Sequence, residues 1–82
     1  LSVTAAKVPF ADASPAEIRD AILPEDVLSF DGQYRRALQL AAETYRLDEL
    51  EKTLRSWRLN AGQVTAEGPD AWRALLARLS VS

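Results

Sequence analysis

At 82 residues the chain has room for one domain, and with no cysteine and no histidine it lacks a thiol nucleophile and the commonest general base and zinc ligand. Ten basic against twelve acidic residues leave a net charge of −2, so bulk charge gives no pull toward nucleic acid. Alanine and leucine fill much of the hydrophobic fraction and only three glycines are present, which favours helices over sheet.

Residues 1–13 carry Val3, Thr4, Val8, Pro9 and Phe10 without helical spacing, and Pro9 blocks a regular helix. They are expected to form an extended N-terminal arm, with residues 14–82 as a helical domain. An arm bearing Val8 and an exposed Phe10 would gain by docking, either on the chain's own core or on a partner. The first helix begins at Ser14-Pro15-Ala16-Glu17, which has the spacing of a capping box with proline at the first helical position. Ile18, Ala21 and Ile22 share one face, and Pro24 ends the helix.

A second helix is predicted from about Glu25 to Tyr45. Val27, Phe30, Tyr34, Ala37, Leu38, Ala41 and Tyr45 form its apolar stripe. Gly32 interrupts the stripe and costs about 1 kcal/mol relative to alanine. The third helix carries Leu47, Leu50, Leu54, Trp57, Ala61 and Val64 at alternating spacings of three and four, the seam of a two-helix contact. Asp48 and Glu51 repeat the capping-box spacing, and Asp48–Lys52 and Glu51–Arg55 are expected as ion pairs one turn apart. Gly62 is expected to fray the end, and the helix stops by Gly68. Pro69 opens a fourth helix with Asp70 in its first turn and Trp72, Leu75, Leu76 and Leu79 on its apolar side. The expected fold is therefore all-α: an antiparallel helical hairpin with a short helix at each end and an extended N-terminal arm.

Charge is unevenly spread. Up to Asp31 the acids Asp12, Glu17, Asp20, Glu25, Asp26 and Asp31 outnumber Lys7 and Arg19; from Gly32 onward bases lead. An acidic front and a mildly basic back suit self-association or a charged partner. The carboxylate pairs Glu25/Asp26, Asp48/Glu49 and Glu49/Glu51 fall at helix starts, where acids serve the helix dipole. Ser14, Ser29, Ser56 and Ser80 have no histidine to activate them, and no glycine-rich phosphate loop occurs. No enzyme activity, cofactor or metal site is expected. With no apolar run long enough to cross a bilayer and no signal-peptide pattern, the expected compartment is the cytoplasm.

Arg55 and Arg58 bracket Trp57, an arrangement that could hold a nucleic acid base and its phosphates. Helical spacing instead turns Trp57 into the hairpin and leaves both arginines outside. Leu40 and Leu59 fall off their apolar stripes. Val8, Phe10, Leu40, Arg55, Arg58 and Leu59 are thus the candidate partner-binding residues.

Ile18-Arg19-Asp20-Ala21, Leu23-Pro24-Glu25-Asp26, Phe30, Tyr34-Arg35-Arg36-Ala37-Leu38, Leu54-Arg55-Ser56-Trp57-Arg58 and Gly68-Pro69-Asp70-Ala71-Trp72-Arg73 together resemble a family of short helical actinobacterial proteins. Genes of that family often stand beside RelE/ParE-type toxins. The resemblance spans Ile18 to Leu79 and implies an antitoxin that binds a compact, basic toxin and blocks it by steric occlusion. A separate DNA-binding domain of the ribbon-helix-helix kind is missing. Two other readings stay open: a DNA-associated regulator using the arginines of the third and fourth helices, and a self-associating module whose leucine seam completes its core in a homodimer.

Overall fold

The computed structural model describes residues 10–80. Helix α1 covers Pro15–Ala21, a 3-10 turn covers Pro24–Asp26, and α2 (Val27–Thr44), α3 (Asp48–Glu67) and α4 (Pro69–Ser80) follow. There is no strand among the described residues, so the fold is all-α. No helix among them is long and apolar enough to cross a membrane.

The start of α1 follows from local chemistry alone. Ser14 Oγ accepts from the Glu17 N–H at 3.2 Å, and the Ser14 N–H donates to Glu17 Oε1 at 2.7 Å. Two of the helix's orphan donors are satisfied reciprocally. Just upstream, residues 10–13 were expected to be extended. They form a turn instead, with Phe10 at φ 64° and the Ala13 N–H donating to the Phe10 carbonyl at 3.2 Å. Val8 and the rest of the expected arm lie outside the described residues.

Helix α2 begins later than the spacing suggested, because Pro24 favours a tight 3-10 turn before it. It then runs unbroken through Gly32 to Thr44. Tyr45 caps it in the left-handed region at φ 61°, which turns its side chain out of the expected stripe to 92% exposure. Leu47 is the N-cap of α3 and is also exposed, so the seam begins only at Leu50. The capping box expected at Asp48 and Glu51 does not form, since Asp48 already lies inside the helix and Arg46 Nη2 holds its carboxylate at 2.9 Å. Neither Asp48–Lys52 nor Glu51–Arg55 is an ion pair among the described residues. Helix α3 passes through Gly62 without fraying and ends at Glu67. There Gly68 adopts φ 90°, ψ 147°, and α4 begins at the next residue. Only glycine takes that conformation readily, which explains a one-residue link.

The core gathers at the end of the hairpin away from the turn at Tyr45. Ala13, Ile18, Ile22, Phe30 and Ala61 are buried together, with Phe10, Ala21, Val27, Tyr34, Leu54 and Trp57 partly buried around them. The Phe30 ring stacks on Tyr34 with centroids 5.8 Å apart and meets Trp57 edge-on at 5.5 Å. Trp57 Nε1 donates to Gln33 Oε1 at 2.9 Å. Gln33 and Trp57 are equally far in sequence from the turn at Tyr45, so α2 and α3 run antiparallel. Helices α1 and α4 both rest on α3. Toward the turn, from Leu38 to Thr53, no residue is fully buried.

Candidate protein-binding surface

The candidate contact residues separate into two groups. Phe10 is half-buried and leans on the core, and Arg58 is half-buried with its Nε donating to the Ala13 carbonyl at 3.0 Å. Arg58 was expected to face outward, whereas Phe10 was expected to dock either on the chain's own core or on a partner. They turn inward because the N-terminal turn needs an apolar seat for its ring and a donor for its carbonyl. Arg55 and Leu59, one turn apart on α3, remain on the surface, with Leu59 65% exposed. Leu40 lies elsewhere, in a groove of about 250 Å³ between α2 and α3 with Arg36, Ala37, Glu49 and Thr53.

Spacing alone missed several exposed side chains. Leu28 opens α2 at 83% exposure and Leu79 closes α4 at 73%. Leu38, placed on the inward stripe, is instead a wall of an open groove of about 350 Å³ beside α1, with Pro15, Ala16, Phe30, Tyr34 and Arg35. The stripe on α2 is wider than the line along which α3 can cover it, and the overhang becomes surface.

Folding also rearranges the charge asymmetry. Arg19 on α1 holds Asp31 on α2 through Nε at 2.9 Å and Nη2 at 3.1 Å. Arg73 on α4 holds Glu25 in the same two-pronged way. Hydrogen bonds from Arg73, helped by a backbone hydrogen bond, push the Glu25 carboxyl down to about 2. Arg19 lowers Asp31 in the same manner. Two acids of the front half are therefore engaged by the chain's own arginines. Arg35, Arg36, Lys52, Arg55 and Arg78, in contrast, make no ion pair among the described residues. No group of three or more metal-binding side chains occurs among them either.

Residues 6–81 match a family of unknown function, DUF6247. The chain belongs to that family. The match covers the N-terminal turn and all four helices, so the family extends over the whole fold described above. No curated protein and no solved structure matches the chain. The family description assigns no activity.

Proposed function

We infer that the chain is a binding protein rather than an enzyme, and that it neutralises a RelE/ParE-type toxin by covering it. The observation that carries a binding role is the balance of apolar side chains. Eight large ones are exposed among the described residues, whereas the core holds eight buried residues of which three are alanines. Tyr45, Leu28, Leu79 and Leu59 are 92%, 83%, 73% and 65% exposed, and large apolar side chains left in water are suited to being covered by protein. The toxin itself comes from the family resemblance set out above.

The contact surface of this proposal differs from the arm first expected. Phe10 and Arg58 are occupied within the fold, and Glu25 and Asp31 are held by Arg73 and Arg19. The exposed Arg55–Leu59 ridge of α3 is left as the outward contact, where an aliphatic anchor sits beside a cation. The test is co-expression with a RelE/ParE-type toxin encoded beside this chain. Growth is expected to recover and the two proteins to purify together, with Leu59→Asp weakening both. Persistent growth arrest without a complex sinks the proposal.

A further inference from the structure

We propose that the turn between α2 and α3 is a docking tip, whose Tyr45 and Leu47 enter a partner protein's surface that is apolar at its centre and basic at its rim. The inference does not rest on the toxin reading, and the tip lies about 12 Å along α3 from the start of the Arg55–Leu59 ridge.

Tyr45 is held in a conformation that is costly for it and that serves no packing within the fold. Its N–H donates to the Ala41 carbonyl at 2.9 Å, which closes α2, and its backbone sits at φ 61°, ψ 22°. Glycine, and sometimes asparagine, usually takes such a place, because a Cβ disfavours the left-handed region. A tyrosine could offset that cost by laying its ring against the helices. Tyr45 does not: it is 92% exposed, and Leu47, two residues on, is 54% exposed.

The turn itself is firmly tied. Thr44 Oγ1 donates to the Leu40 carbonyl at 2.9 Å and accepts from the Arg46 N–H at 3.2 Å. Arg46 donates to Asp48 Oδ2 from Nε at 3.2 Å and from Nη2 at 2.9 Å. The Leu47 carbonyl accepts from the Glu51 N–H at 2.8 Å. Tyr45, Arg46 and Leu47 therefore all have hydrogen-bonded backbones, and docking has little chain left to order. Tyrosine adds a large amphipathic contact with few bonds to freeze, which suits it as an anchor.

The charge beside the tip selects the partner. Residues 43–51 hold the acids Glu43, Asp48, Glu49 and Glu51 against the single base Arg46, a local net charge of −3. Arg46 is taken up by Asp48. Glu43, Glu49 and Glu51 are exposed and make no ion pair among the described residues, and Lys52, the next cation along α3, makes none either. Two apolar side chains beside three unpaired carboxylates are complemented by an apolar contact with cations around it. The same carboxylates repel phosphate, which disfavours nucleic acid or an anionic bilayer, and they repel the tip of a second copy.

A nuclear magnetic resonance titration of the full chain with a synthetic amphipathic helix, leucine on one face and lysine on the other, tests this. Amide shifts are expected to centre on residues 44–48, and affinity to fall about tenfold from low to high salt. A matched helix with glutamate in place of lysine is expected not to bind. Tyr45→Gly keeps the left-handed turn, which glycine adopts freely, and is expected to weaken binding about tenfold with helix content unchanged. Glu43→Gln, Glu49→Gln and Glu51→Gln combined should remove most of the salt dependence. The proposal is overturned by shifts that centre on α4 or on the Arg55–Leu59 ridge, by a Tyr45→Gly chain that binds as tightly as the wild type, by equal binding of the glutamate helix, or by no binding at low salt.

Discussion

Arg73 on the last helix grips Glu25 in the 3-10 turn ahead of α2, with Nε 2.6 Å from Oε2 and Nη2 2.9 Å from Oε1. Forty-eight residues separate the two in sequence, so the pair ties the end of the chain to its front half. Glu25 titrates at about 2 in the folded chain against an ordinary 4.5. A carboxyl lowered on folding stabilises the fold above its ordinary value and loses that contribution as pH falls toward the folded value. Unfolding by urea is therefore expected to become easier between pH 4.5 and about 2. Both partners are well exposed, so the effect is small. Glu25→Gln should lower stability at pH 7 and flatten that acid limb, and an unchanged limb would assign the acid sensitivity to other groups.

Phe30 is 1% exposed and joins Tyr34, Trp57 and Ile18 in one cluster. Phe30→Ala is expected to cost about 3–5 kcal/mol, which exhausts most of the stability available to so short a chain. Leu59→Ala, on the open surface of α3, should stay within about 0.5 kcal/mol. Urea midpoints of the two variants measure the contrast.

Alanine at Gly32 and at Gly68 should have opposite effects. Gly32 sits mid-helix with nothing within 4 Å of where a methyl group would stand, so Gly32→Ala should add about 0.5–1 kcal/mol. Gly68 holds φ 90°, and Gly68→Ala should cost about 1–3 kcal/mol through backbone strain. Thermal melts followed by far-ultraviolet circular dichroism separate them.

Asn60 Oδ1 is buried without a hydrogen-bond partner. An unsatisfied buried acceptor carries its full desolvation cost, and leucine has nearly the same shape. Asn60→Leu is expected to stabilise the chain by about 1 kcal/mol, again read from the urea midpoint. A loss instead would mean that the amide is solvated in solution.

Legibility in the sequence tracked the range of each interaction. The Ser14–Glu17 box was readable because donor and acceptor lie three residues apart and need no other element. The same spacing at Asp48 and Glu51 misled, since it shows that a helix begins nearby but not which residue is outside it; Leu47 is the cap, and Arg46 competes for Asp48. On the surface, Leu40 and Leu59 were legible as exposed because they break the stripe. Phe10 and Arg58 were not, because their partners are the distant core and the carbonyl of Ala13, forty-five residues from Arg58.

By itself the sequence determined the helices, their order and the hairpin, because the 3.6-residue period, proline and Gly68 act within a few residues. Tertiary structure alone decided how far that hairpin is covered. Helices α1 and α4 both rest on α3, so the apolar stripe that reads as continuous from Val27 to Tyr45 is buried at one end and open at the other. Period marks which residues share a face. Only the placement of neighbouring helices settles which part of that face meets protein and which meets water.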